Sequence, residues 1–136
     1  MTSVNRPIKV LVVEDSAGDV VLLKHMLKKE SFPNEQYIFT DVARLIDAFN
    51  LLDKQTFDLV LLDLNLLDID GVSSVSALHA QKPNIPIIVY SGLDDIKVKE
   101  KALLLGAKNY LVKGHESSYA LNFMIHQTVE DMPTAA

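Results

Sequence analysis

The sequence predicts an α/β fold of the doubly wound class: a five-stranded parallel sheet with helices on both faces, built as (βα)5. Two observations lead there. Short runs of aliphatic and β-branched residues alternate with longer segments of helical apolar spacing, and this repeats about five times along the 136 residues. The short runs are also apolar on both faces, as strands covered by helices on both sides must be.

Taken in order, IKVLVV (8–13) is apolar except for Lys9 and reads as the first strand. AGDVVLLKHMLKKE (17–30) follows as a helix with Val20, Leu23 and Leu27 on one stripe. QYIFT (36–40) is a shorter strand, and Asp41 then caps the helix VARLIDAFNLLDK (42–54). DLVLLD (58–63) is the third strand. After Gly71, VSSVSALHAQK (72–82) carries Val72, Val75 and Leu78 at helical spacing, and Pro83 and Pro86 bracket the loop into the fourth strand, PIIVYS (86–91). Asp94 or Asp95 caps the fourth helix, whose apolar positions include Ile96, Leu103 and Leu104 and which ends at Gly106. AKNYLVK (107–113) is the fifth strand, and residues 116–128 form the last helix with Leu121, Met124 and Ile125 inward. The expected organisation is an extension at 1–7, one domain at 8–128 and a frayed tail at 129–136.

Composition removes several classes of function. The chain is 49% hydrophobic and 23% charged, and its longest apolar runs are strand-sized, far short of the ~20 residues that span a bilayer. The opening MTSVNRPIK lacks the apolar core of a secretory signal, so a cytoplasmic protein that does not enter a membrane is expected. With no cysteine there is no disulfide, thiolate metal site or cysteine nucleophile. A net charge of -5 argues against nucleic-acid binding, which needs clustered Lys and Arg; Lys28, Lys29 and the lysines at 97–101 read as solvated helix faces. His25, His79, His115 and His126 are scattered, and none has the setting of a phosphohistidine.

In doubly wound sheets the ligand site lies outside the carboxyl ends of the strands. Those ends carry Glu14, Asp15 and Ser16, then Asp63, then Ser91, then Lys113. Asp63 closes the aliphatic run of FDLVLLDLNLLDIDG (57–71), where an ionised carboxylate is costly without a charged partner. Three carboxylates at one edge call for a divalent cation together with Lys113, and all-oxygen donors completed by water favour Mg2+ over a dedicated Ca2+ cage. Asp68 and Asp70 shape the following loop, and Gly71 turns the chain into the third helix. Singly, each residue has a plain structural reading as a cap, a turn or surface charge; together they make coherent chemistry.

The motifs VVEDS, LVLLDLNLLDIDG, PIIVYSG and GAKNYLVKG, spread over residues 8–128, make the chain resemble a receiver domain of the two-component response-regulator family. The resemblance implies a phosphorylation-controlled signalling switch. Asp63 would accept a phosphoryl group from a histidine kinase or histidine phosphotransfer protein. Asp15, Asp63 and the Asn65 backbone carbonyl would bind Mg2+, with Glu14 assisting directly or through a water. Ser91 and Lys113 would contact the acyl phosphate, and Tyr110 would be the switch aromatic, its plain alternative being an ordinary half-buried strand residue. Output would pass through an altered surface on the fourth helix, fifth strand and fifth helix, to a downstream protein, an effector domain outside these residues, or a second copy.

Two positions depart from the common pattern of the family: Leu67 and Gly114 stand where prolines are frequent. A non-proline cis bond costs about 3 kcal/mol, so Lys113–Gly114 is either trans, with Lys113 reaching the site by another route, or a strained cis bond. Competing readings fail on residues. An EF-hand loop needs acids where Leu66 and Ala77 stand. A flavodoxin-like flavin or nucleotide binder, sharing the fold, would not put Glu14 and Asp15 against a phosphate. A dehalogenase-type phosphatase needs a general acid where Asn65 stands, which argues against an independent turnover enzyme. The remaining alternative is a phosphorylation-independent, receiver-like interaction module, which would be expected to lack the acid pair, the acceptor or the lysine.

Overall fold

Strands and helices alternate along the chain in the computed structural model, which describes residues 6–29, 37–66, 68 and 71–132. They are β1 (Ile8–Val13), α1 (Ala17–Lys29), β2 (Tyr37–Val42), α2 (Leu45–Lys54), β3 (Leu59–Leu62), α3 (Ser73–Gln81), β4 (Ile87–Ser91), α4 (Ile96–Leu104), β5 (Asn109–Val112) and α5 (Ser118–Glu130). All five strands pair in parallel, in the order β2-β1-β3-β4-β5. The predicted α/β class and its doubly wound sheet are what the chain adopts. Gln36, Glu30, Leu67 and Asp70, which entered the sequence reading, lie outside the described residues, as do positions 1–5 and 133–136.

Side chains of a strand alternate between faces, and here both faces are apolar. Ile8, Val10 and Val12 of β1, with Leu59, Leu61 and Ile88, pack under α1 and α5 through Val20, Leu23, Leu27, Leu121 and Ile125. Leu11 and Val13, with Val60, Leu62 and Val89, pack on the other face against Leu45, Ala48, Val75, Leu78 and Ala102 of α2, α3 and α4. Each fully buried aliphatic side chain contributes roughly 1.5–3 kcal/mol, so the central strands are the most firmly held part of the molecule. A rigid centre fixes what projects from its ends.

Three local expectations are corrected. Asp41 does not cap the second helix: it lies within β2, whose register pairs Asp41 with Val12 and Val42 with Val13, and its carboxylate salt-bridges Lys24 at 2.9 Å. Strand pairing takes these residues before a helix can. Val98 and Ala102 of α4 and its C-cap residue Leu105 face inward, whereas Ile96, Leu103 and Leu104 are exposed. α5 continues to Glu130, two residues past its expected end, after Ser117 caps it by accepting from the Ala120 amide at 3.1 Å.

Other expectations hold. Asp95 is the cap of α4, accepting from the Lys97 and Val98 amides. Gly106 follows α4 with φ of +125°, and a Cβ there would stand 2.5 Å from the His79 ring, so both conformation and close packing require glycine. A buried polar tie was not foreseen: Asn122 of α5 accepts from the Tyr37 hydroxyl at 2.6 Å and donates to the Leu27 and Ser118 carbonyls. It joins β2, α1 and α5. His126 is buried, with its ring 5.7 Å from that of Tyr37, and is a core histidine. No helix among the described residues is long and apolar enough to cross a membrane.

Candidate functional site

Strand order reverses direction between β1 and β3, so the crevice lies outside their carboxyl ends. Backbone bonds hold those ends in register: the Glu14 amide donates to the Val42 carbonyl at 2.9 Å, the Asp63 amide to Val13 at 3.0 Å and the Lys113 amide to Ser91 at 2.8 Å. The side chains just beyond them therefore share one edge. Glu14 and Asp63 are buried and Asp15 is exposed, yet each brings a carboxylate oxygen to within 4.8 Å of the others.

Lys113 reaches this cluster from β5. Its ammonium bonds Glu14 Oε1, lies 2.9 Å from Asp19 Oδ2 and 3.7 Å from Asp63 Oδ2. No cis peptide occurs among the described residues, so Lys113 enters the site with a trans bond to Gly114, which itself takes φ of +85°. That resolves the alternative left open by the sequence. Burial opposes the charge on Lys113, but the bonds to Glu14 and Asp19 and the field of Asp63 outweigh it and raise the Lys113 pKa. Burial, reinforced by Asp63, raises the Glu14 pKa even though Lys113 pulls the other way. The carboxylates of Glu14, Asp15, Asp19 and Asp63 share this edge with the Lys113 ammonium, so negative charge here exceeds what Lys113 neutralises.

That imbalance tests the fit to a metal. Glu14, Asp15 and Asp63 offer oxygen donors only, carry unneutralised charge and face a partly open mouth, as a hard divalent cation held by few protein ligands requires. Asn65, two residues beyond Asp63, is exposed on the loop at that mouth.

On the other flank, Ser91 ends β4 and is almost wholly buried, with its hydroxyl accepting from the Leu93 amide at 3.2 Å. Tyr110 is turned into the core rather than half-buried, and its hydroxyl donates to the Leu93 carbonyl at 2.7 Å. Burial raises the Tyr110 pKa, while the neighbouring Ser91 hydroxyl draws it down. Serine and tyrosine thus hold the same residue of the β4–α4 loop. Leu93 also lines an open hollow of about 430 Å3 with Leu64, Ser91, Val98 and Lys101.

The site has one member that the sequence reading omitted, Asp19. It lies in the first turn of α1, where an acid is ordinarily read as a partner of the helix dipole. Its one signal was spacing, four residues beyond Asp15. Asp68 also has a more definite role than shaping a loop: it accepts from the Leu45 and Ile46 amides at 3.0 and 3.1 Å and so caps α2, whose own flanking residue Arg44 makes no side-chain cap.

A doubly wound sheet with acids at two adjacent strand ends, a serine at the next and a lysine at the last defines a receiver-type switch. The comparisons agree: residues 10–122 match the response regulator receiver domain model, and the chain belongs to that family. It is 35% identical over 106 residues to the cell cycle transcriptional regulator CtrA of Caulobacter vibrioides, covering 77% of this chain and 43% of that protein. The cell cycle response regulator CtrA of Brucella ovis is 36% identical over the same coverage. The chain thus spans less than half the length of these relatives. Among solved structures, a CheY-like receiver from Methanospirillum hungatei superposes with a TM-score of 0.78 at 21% identity, over 93% of this chain and 96% of that one. The receiver domain of sensor histidine kinase PA1611 from Pseudomonas aeruginosa, solved with a magnesium ion in its active-site cleft, gives 0.76 at 25% identity, over 93% and 100%. These residues form a receiver domain of the kind found in two-component response regulators.

Proposed function

We propose that this receiver, residues 8–128, accepts a phosphoryl group on Asp63 from the phosphohistidine of a histidine kinase or histidine phosphotransfer protein. The observation that carries this reading is the Lys113 ammonium, 3.7 Å from Asp63 Oδ2 at the edge of an oxygen-only cluster. An Asp63 oxygen forms the new P–O bond as the P–N bond to the donor imidazole breaks. The electron pair returns to the ring nitrogen, which is protonated from solvent. The nucleophile is already ionised and needs no general base. Lys113 offers positive charge to the phosphoryl oxygens, and burial makes that charge count for more than it would in water. Mg2+ held by Asp15, Asp63 and the Asn65 carbonyl, with Glu14 directly or through a water, would neutralise charge on the group in transfer.

Ser91 then donates to a phosphoryl oxygen, which draws the β4–α4 loop inward and takes the Leu93 carbonyl from Tyr110. Tyr110 turns, and the surface of α4, β5 and α5 changes. Ile96, Leu103 and Leu104 on α4 and Phe123 on α5 are exposed, which supports this surface as the one read by a downstream protein, an effector domain or a second copy. On this reading the protein works in the cytoplasm as a switch that can lose its phosphoryl group by self-dephosphorylation, rather than as a turnover enzyme.

The test is incubation with acetyl phosphate and Mg2+, followed by intact mass, for wild type and Asp63→Asn. Wild type gains one phosphoryl group and the variant gains none. Labelling of both would mean another acceptor; labelling of neither, with acetyl phosphate or a kinase, would favour a phosphorylation-independent interaction module.

A further inference from the structure

Lys113 carries three N–H donors, and the structure shows where two of them go: Glu14 Oε1 and Asp19 Oδ2. The third has Asp63 Oδ2 before it at 3.7 Å, within ionic reach but too far for a hydrogen bond. The two anchors differ in kind. Glu14 is buried and belongs to the group of carboxylates able to hold a cation, so one side chain serves both the ammonium and the metal position. Asp19 comes from α1, stands outside that group and is half-exposed. Its own amide donates to the Ser16 hydroxyl at 3.2 Å, fixing it in the first helical turn.

We propose that Asp19 is a positioning residue for phosphoryl acceptance: it holds the Lys113 ammonium beside Asp63 when Glu14 is drawn toward the cation. The inference rests on Asp63 being the acceptor. Without Asp19 the lysine side chain has rotatable bonds enough to leave the site. A rival role for the same contact is opposite in sign. As a competitor, Asp19 would withhold the ammonium from the phosphoryl group, and its removal would speed labelling.

The rate of labelling by acetyl phosphate at saturating Mg2+ decides between them, measured for wild type, Asp19→Ala and Asp19→Asn. Mg2+ affinity is followed separately by fluorescence or NMR titration without donor. Positioning by one partly exposed ion pair predicts Asp19→Ala slower by about threefold to fivefold. Asp19→Asn, which keeps an acceptor oxygen, recovers at least half of the loss, and Mg2+ affinity holds within about twofold because Asp19 is not a ligand. Labelling of Asp19→Ala at or above the wild-type rate overturns the proposal. So does a loss of Mg2+ affinity that matches the loss of rate. Unlabelled wild type would overturn the acceptor reading and this inference with it, whereas labelled wild type with an unaffected Asp19→Ala sinks this inference alone.

Discussion

The Asp68 carboxylate accepts from the Leu45 amide at 3.0 Å, so the loop that follows Asp63 supplies the helix cap that α2 cannot supply for itself. Those two bonds, despite some desolvation, hold the Asp68 carboxyl below its usual range. Asp68→Ala should therefore cost about 1 kcal/mol in denaturant unfolding and speed hydrogen exchange at Leu45 and Ile46. Asp68→Asn should retain most of the cap. Unchanged exchange at both amides in Asp68→Ala would contradict the contact.

A second prediction concerns charge. Burial raises the Glu14 pKa and the neighbouring Asp63 carboxylate raises it further, so in the metal-free protein Asp63→Asn should unfold at a higher temperature than wild type in the presence of a chelator. Adding Mg2+ should raise the wild-type midpoint and move the variant far less, because a ligand stabilises the state that binds it. Equal Mg2+ shifts in both proteins would remove Asp63 from the metal site.

Tyr110→Phe keeps the packing of the ring and deletes one hydrogen bond, to the Leu93 carbonyl. A loss of about 1 kcal/mol is expected, with faster exchange in the β4–α4 loop and little change around β1. If Tyr110 links phosphorylation to the α4 surface, NMR shift changes on α4 after phosphorylation should shrink in this variant, although labelling of Asp63 proceeds. Full-sized α4 changes without the hydroxyl would leave Tyr110 an ordinary core residue.

Part of the pH dependence of stability comes from a pair at the opposite end of β3 from Asp63. Asp58 accepts both nitrogens of the Arg6 fork at 2.7 Å and the Lys9 amide at 2.9 Å. Burial would raise its pKa, but these bonds win and lower it. A carboxyl whose folded pKa is depressed contributes stability that is present above its unfolded pKa of about 3.9 and disappears as pH falls through the folded value. Wild type should accordingly exceed Asp58→Asn by about 1 kcal/mol near pH 7, since Arg6 is largely exposed, and the gap should close below the folded pKa. A gap that persists at pH 2 would mean that packing, not charge, is lost.

Much of this was legible in the amino-acid order because parallel strands announce themselves twice, by apolar residues on both faces and by polar residues where they stop. Asp15, Asp63, Ser91 and Lys113 could be located that way before any coordinate was known. Local pattern misled where the deciding partner was distant in sequence. Asp41 has the chemistry of a cap, yet pairing with β1 claims it, and the real cap comes from Asp68, 23 residues beyond Leu45. The apolar residues of α4 look like a core stripe, but Ile96, Leu103 and Leu104 fall on other sides of the helix from Val98, Ala102 and Leu105. Asp19 was hidden because the ion it meets lies 94 positions away. No spacing rule within a helix reaches that far.

The backbone bonds from Glu14 to Val42, Asp63 to Val13 and Lys113 to Ser91 fasten the reactive edge to strand neighbours and not to helix surfaces. On the proposed reading, chemistry and recognition therefore lie on separate parts of the molecule. If α4 and α5 carry the output, substitutions on their outer sides would retarget the switch to a new listener while its phosphoryl chemistry stays as it was, and a duplicated copy could acquire a private signalling channel through surface changes alone.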